Sequence, residues 1–205
     1  MESLPFSQAC ENNKPYILEV LREVFADRRK VLEIGSGTGQ HACHFAEHLP
    51  WLQWQPSELA KNLPILRPRC ALYTGQNLLP EVALDVRTTP WNVAIPDALF
   101  TANTLHIMSL TAVQCMFETL GESIGEGAAD DVMLAVYGPF NYRGEYTSSS
   151  NAQFDQWLLQ RDPLSGIRDF EAVNKLAEAA AFSLRGDFPM PANNRLLVWH
   201  RKPVI

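Results

Sequence analysis

Gly35, Gly37 and Gly39 stand at alternate positions where a short β-branched apolar run, Val31-Leu-Glu-Ile34, gives way to a segment with helical spacing. Glycine tolerates positive φ and lets a ligand touch the backbone. Three of them at the end of a first strand therefore mark a crevice of the nucleotide-binding kind, the alternative being a tight strand-to-helix turn with no ligand. A dinucleotide fingerprint would put its third glycine where Gln40 stands, and no G-K-[ST] follows, so neither that fingerprint nor a phosphate-cradling loop is written here. A second constellation, His44-Phe-Ala-Glu47-His48, has the H-x-x-E-H order of one class of zinc hydrolases. At about 100° per residue, Ala42, Phe45, Ala46 and Leu49 gather on one face of a helix while His44, Glu47 and His48 turn toward water. A catalytic zinc needs a third ligand and a dry, shaped site, so this pair suits adventitious nickel or zinc better than hydrolysis, and no metal is expected.

The elements that must carry these residues follow from periodicity. Ile17, Val20, Leu21, Val24 and Phe25 predict an opening helix over about residues 12–26, with Pro15 in its first turn. Lys30 to Gly35 reads as a strand and Thr38 to Leu49 as a helix. Leu52 to Gln55 reads as a strand stopped by Pro56, followed by a proline-interrupted helix from Leu59 to Leu66. Val82–Val86 and Ala98–Ala102 are further strands, and Thr111–Ile124 is a helix with Val113, Met116, Phe117, Leu120 and Ile124 inward. Asp131–Tyr137 is a strand buried on both faces. A long Gly-, Asn-, Tyr- and Ser-rich excursion then precedes helices over Phe154–Gln160, with Ser150 and Gln153 as a capping box, and over Phe170–Phe182, capped by Asp169. Ser183–Phe188 and Arg195–Arg201 lie too close for a parallel crossover and predict a closing hairpin. Strands alternating with helices imply an α/β sandwich with a mostly parallel sheet, in one domain without repeat or linker.

The chain has 205 residues, 46% hydrophobic and 20% charged, with 17 basic and 23 acidic side chains and a net charge of −6. A real core is expected, and disordered, fibrous and disulfide-stapled classes are excluded. The acidic balance disfavours nucleic acid and anionic membranes as partners. Cys10, Cys43, Cys70 and Cys115 contain no C-x-x-C pair and read as reduced core thiols. Neither a signal-like N-terminus nor an apolar stretch of membrane-spanning length is present, so a cytoplasmic location is expected.

The E-x-G-x-G-x-G form of Glu33 to Gly39 resembles the first motif of the class I S-adenosylmethionine-dependent methyltransferases. More narrowly, N-K-x-x-I-L-E-V-L, W-Q-P-S-E, Y-G-P-F-N-Y-x-G-x-x-T-S-S-S-N and R-D-P-x-x-G-I-R-D look like an uncharacterised methyltransferase-like family, over nearly the whole chain. The resemblance implies a Rossmann-like three-layer sandwich whose mostly parallel seven-stranded sheet ends in an antiparallel hairpin strand, a single domain over residues 1–205, and S-adenosylmethionine as cofactor. It implies that Gly35, Ser36, Gly37, Thr38 and Gly39 cover the methionine moiety, with Glu33 near its amino group. Glu58 after the second strand would accept the ribose hydroxyls, an acceptor-only group suiting two donors, a helix-start carboxylate being the lesser alternative. Asp85 and Val86 would hold the adenine, an ordinary strand-end acid explaining Asp85 equally. Asn103 would hold the methionine end, His106 would be a general base beside the methyl group or, the commoner fate, a packed hydrogen-bonded histidine, and Asn13 and Lys14 would close over the cofactor or simply begin a solvated helix. The N-P-P-Y of nucleobase and amide methylation is missing.

The excursion over about residues 138–169 leaves the strand end nearest the methyl group and can act as a lid. Tyr137, Asn141, Tyr142, Arg143, Tyr146 and Asn151 are its candidate substrate contacts, with Tyr142 also a catalytic candidate. Arg143, Arg161 and Arg168 can grip an anion, or Arg161 and Arg168 can pair with Asp162 and Asp169. The expected activity is methyl transfer to a small polar, possibly anionic, metabolite. The alternative is a non-catalytic binding or scaffold protein on the same fold. Oligomeric state is left open.

Overall fold

Alternation along the strands sends successive side chains to opposite faces, and both faces are apolar. In β1 (Lys30–Ile34), Val31 packs to one side while Leu32 and Ile34 pack to the other. A strand buried on both faces needs helices on both faces, which is the three-layer arrangement observed. The computed structural model describes residues 3–123 and 129–203, so the predicted core role of Ile124 lies outside the described residues. The remaining elements are α1 (Gln8–Val24), α2 (Gln40–His48), β2 (Gln53–Glu58), α3 (Leu63–Cys70), β3 (Val82–Ala83), β4 (Ala98–Ala102), α4 (Leu110–Glu122) and β5 (Val132–Gly138). They continue with β6 (Phe140–Asn141), α5 (Ser149–Arg161), β7 (Arg168–Asp169), α6 (Phe170–Ala179), β8 (Ser183–Met190) and β9 (Asn194–Arg201).

The main sheet has seven strands in the order β3-β2-β1-β4-β5-β9-β8. Pairing is parallel from β3 through β5, and β9 is antiparallel to both β5 and β8, as the closing hairpin predicted. One core packs Ile17, Leu21, Phe45 and Ala46 of α1 and α2 against Val31, Trp54 and Phe100. The other packs Val113, Phe117 and Val173 of α4 and α6 against Leu32, Leu99, Leu134 and Trp199. Parallel strands between two such layers all deliver their carboxyl ends to one edge of the molecule.

Several boundaries differ from the sequence reading, each for a tertiary reason. Helix α1 begins at Gln8, with Ser7 as N-cap, and Pro15 lies inside it. The upstream turns persist because the Ser7 N–H donates to Gln40 Oε1 on α2. Strand β2 runs through Pro56 to Glu58, because β1 supplies its register up to Ser57 while β3 pairs only from Ser57 onward, so the missing N–H of Pro56 faces no ladder. Strand β3 is confined to Val82–Ala83, since Asp85 is drawn into a turn by the Arg87 N–H and guanidinium. Pro64 opens α3 after a 3-10 turn at Ala60–Asn62 instead of interrupting a helix.

Helix α5 starts earlier than predicted, its cap being Ser148, whose hydroxyl accepts from the Asn151 N–H; Ser150 does not serve. Asp169 precedes α6 but gives its carboxylate to the Gly144 N–H and leaves that helix without a side-chain cap. The excursion is a folded unit, with β6 paired in parallel to β7. All four cysteines are free and only half-buried, so they sit at the flanks of helices and not in the core as expected.

Candidate functional site

The turn after β1 holds Gly35, Gly37 and Gly39 at φ of +75°, +54° and +76°. Side chains strain such a backbone, but the three glycines differ in what surrounds them. A Cβ on Gly35 would strike Thr104 Cγ2 at 2.5 Å, and one on Gly39 would meet Leu66 Cδ1 at 2.9 Å. A Cβ on Gly37 would meet nothing within 4 Å. Gly35 and Gly39 are thus required by the protein's own packing, whereas Gly37 borders open space at the strand ends.

Glu58, at the end of β2, ties this turn down. Its Oε2 accepts the Gly37 N–H at 3.0 Å, and its Oε1 accepts the Leu59 N–H at 2.8 Å and the Asn62 amide at 3.0 Å. Ser36 is buried and exchanges bonds with Ser57, its N–H reaching the Ser57 carbonyl at 2.8 Å. Thr38 donates its hydroxyl to Gln40, and its carbonyl accepts from Arg69 Nε at 2.9 Å. Glu33 lies beneath, 1% exposed, accepting the Trp54 indole N–H at 2.8 Å. Burial, followed by weaker repulsion from Glu58, pushes its carboxyl up to about 7. Asp85 spends its carboxylate on Arg87, and Val86 is buried in the core beside it.

Helix α1 closes the turn from above. Asn13, 5% exposed, accepts from His41 Nε2 at 2.6 Å, so it links α1 to α2. Burial pushes His41 down to about 3, which leaves the ring neutral. Lys14 pairs with Glu11, one turn back. Gln40, His41 and Arg69 were not among the predicted site residues. Gln40 had one visible signal, its place where the dinucleotide fingerprint wants glycine; Arg69, which bridges Thr38 and the Pro5 carbonyl, had none.

At the end of β4, Asn103 adopts φ +59°, a left-handed backbone that asparagine tolerates, and donates its N–H to the Tyr137 carbonyl at 2.9 Å. Thr104 abuts Gly35, and His106 follows. His106 is 6% exposed, its Nδ1 is 3.6 Å from where a Cβ on Gly138 would stand, and its ring meets Phe154 edge-on. Burial, and then the charge of Arg168, pushes the imidazole down to about 4. The glycine turn, Thr104, His106 and the end of β5 are therefore contiguous.

The predicted acceptor contacts mostly have other partners. Tyr142 donates its hydroxyl to Asp187 at 2.8 Å and stacks on Phe170, and both its burial and that carboxylate hold its pKa well above the ordinary phenol value. The Tyr142 hydroxyl expected at the acceptor is thus engaged within the protein, on Asp187. Asn151 is buried and gives its amide to Thr147 and the Asn193 carbonyl. Tyr146 donates to Asp155, and Tyr137 is buried against Asn13. Arg143 is exposed, in a turn whose N–H is held by Glu171. Asn141 keeps a buried Oδ1 with no hydrogen-bond partner. Arg161 lies 4.6 Å over the Trp157 ring and Arg168 binds backbone carbonyls, so neither pairs with Asp162 or Asp169.

On α2, Glu47 is exposed, but His44 is half-buried and its Nε2 is enclosed without a partner, in place of the water-facing ring expected. The His48 ring lies tilted against it, centroids 4.2 Å apart, because helical spacing brings the two together. Among the described residues no three His, Cys, Asp or Glu side chains gather as a metal site, and no helix is long and apolar enough to cross a membrane. Two surface clefts of about 400 and 420 Å³ lie elsewhere, beside Cys70 and Glu81 and beside Trp91 and Thr119.

A parallel sheet of this order, closed by an antiparallel hairpin and carrying a glycine turn after its first strand, is the fold of solved methyltransferases. An O-methyltransferase family protein from Burkholderia thailandensis superposes with a TM-score of 0.78 at 15% identity, over 94% of this chain and 57% of that one. An O-methyltransferase family 2 protein from Planctomyces limnophilus, solved with apigenin, gives 0.76 at 15%, over 93% and 58%. Human N-acetylserotonin methyltransferase in complex with SAM gives 0.70 at 12%, over 93% and 55%. The chain thus spans little more than half the length of these structures. Residues 4–201 match the family described as Protein of unknown function (DUF938), and the chain belongs to it.

Proposed function

We propose that this protein binds S-adenosylmethionine at the glycine turn and directs methyl transfer to a hydroxyl of a small molecule held against His106. The observation that carries the reading is the open space in front of Gly37, bordered by the Glu58 carboxylate at the carboxyl ends of the parallel strands. In this reading Gly35 to Gly39, with Ser36 and Thr38, hold the methionine end together with Asn103. Glu58 takes the ribose hydroxyls, and Asp85 and Val86 the adenine. Asn13 and Lys14 close the site, and Glu33 sets the charge beneath it. When bound, the cofactor supplies an activated methyl group on a sulfonium.

The chain's own contribution is alignment and proton management. His106 is neutral above about pH 4 and therefore presents a free ring nitrogen as proton acceptor. So weak a base is matched to an acidic hydroxyl, a phenol or an enol, more closely than to an aliphatic alcohol. The O-methyltransferase names of the neighbouring structures support the same choice of acceptor atom. Asn141, whose buried carbonyl oxygen awaits a donor, is the acceptor contact we retain from the lid, together with the exposed Arg143.

The test is titration calorimetry with S-adenosylmethionine, followed by a phenolic acceptor panel read as S-adenosylhomocysteine formed. Binding heat, and turnover that falls by about 10²–10⁴-fold in His106→Ala, is expected. No heat and no shift in melting temperature at millimolar cofactor would refute the reading. Binding without any product would leave a cofactor-binding protein in place of an enzyme.

A further inference from the structure

The run Arg161-Asp-Pro-Leu-Ser-Gly-Ile-Arg-Asp169 is unused by the reaction proposed above, yet it lies directly against the loop that carries His106. Loop residues 105–108 leave β4 before α4 begins, so their carbonyls have no strand ladder to enter and must find partners elsewhere. Each of the four is met by residues 165–168. Arg168 Nε donates to the Leu105 carbonyl at 3.0 Å, the Gly166 N–H to that of His106 at 2.8 Å, and the Ser165 hydroxyl to that of Ile107 at 3.2 Å. Arg168 Nη2 donates to the Met108 carbonyl and also to the Leu164 carbonyl, which folds the strap back on itself.

The strap is held from its other side by α5. Asp155, 7% exposed, accepts the Ile167 N–H at 2.6 Å on one oxygen and the Tyr146 hydroxyl at 2.7 Å on the other. Gly166 is at φ +147°, and a Cβ there would come within 3.2 Å of that carboxylate, so only glycine threads the gap. A planar guanidinium with several donors at fixed angles can serve three carbonyls at once, which an ammonium cannot match. Arg168 forms no ion pair among the described residues; the acidic group acting on it is Asp155, through space. Its charge acts on the neighbouring imidazole, after burial.

We propose that Arg168 is a positioning residue for His106, clamping the backbone of residues 105–108 so that the ring faces Gly138. The inference rests on the reading of His106 given above, but its test is independent of turnover. The ring of His106 is followed by NMR in the full chain with ¹³C-labelled histidine, assigned with His106→Gln, and the groups facing it are Arg168, Phe154 and the backbone of Gly138. The expected result is a titration midpoint near pH 4 that rises toward the ordinary imidazole value in Arg168→Gln. Should that variant fail to fold, Arg168→Lys serves. It keeps the charge, so the midpoint stays in place, but it loses the fork, so exchange of the Ile107 and Met108 amides, both bonded to the Thr104 carbonyl, speeds up about tenfold or more. An unmoved midpoint in Arg168→Gln, or unchanged exchange in Arg168→Lys, overturns the proposal. Loss of product in His106→Gln with neither change would leave the catalytic reading standing and remove only the clamp.

Discussion

Single residues here are decided by what stands beside them. Gly37 is the clearest case, because its two neighbouring glycines are demanded by Thr104 and Leu66 while it faces open space. Gly37→Ala incurs the cost of a left-handed backbone, about 1–2 kcal/mol, and adds only a methyl group. Gly37→Val adds bulk where the cofactor is proposed to lie. We expect Ala to lower the melting temperature with cofactor affinity reduced modestly, and Val, whose branched Cβ suits positive φ still less, to lower the melting temperature further and affinity strongly. Calorimetric titration beside thermal melts separates the two, and a Val variant that binds normally would move the site away from this turn.

Among the elements, α1 has the least expected structural part. It was read as a cap over the site, and its docking depends on Asn13, which satisfies the buried His41 ring. Truncating Asn13 strands a buried donor and loosens α1 from α2. Asn13→Ala should therefore cost about 1–3 kcal/mol in urea unfolding. Lys14→Ala, whose amine reaches partly exposed Glu11, should cost well under 1 kcal/mol. Equal costs for the two substitutions would show that α1 is not fastened through Asn13.

For the whole molecule, buried titratable groups set a stability window. His41, pushed down to about 3, and His106, pushed down to about 4, bind protons more readily when unfolded, so stability is lost as pH falls from about 6.5 toward 4. Glu33, pushed up to about 7, works in the opposite sense: the folded state holds its proton between pH 4.5 and 7, and stability is lost as pH rises through that range. Glu33→Gln keeps an acceptor for Trp54 without a charge. The variant should match wild type near pH 4.5 and gain about 1–3 kcal/mol by pH 8, measured by urea midpoints. A variant that is less stable at pH 8 would show that the ionised carboxylate is itself stabilising.

Local pattern was enough for the glycine turn, the two-sided apolar strands, the closing hairpin and the order of the elements, because each is written in a run of a few residues with a period of two or about 3.6. The placement of Gly37, Glu58 and His106 at strand ends follows from that order once the strands are parallel. The lid was legible as an excursion but not as chemistry. Whether Tyr142 is free depends on Asp187, 45 residues away, and whether Asn13 is a cap or a tie depends on His41, 28 residues away. Arg168 could be read as an anion grip or an ion pair; only the fold brings the carbonyls of residues 105–108 within its reach. Short-range order sets the backbone's period and turns, but a polar side chain takes whichever partner the packed chain brings within about 3 Å, and that partner is chosen by the whole fold.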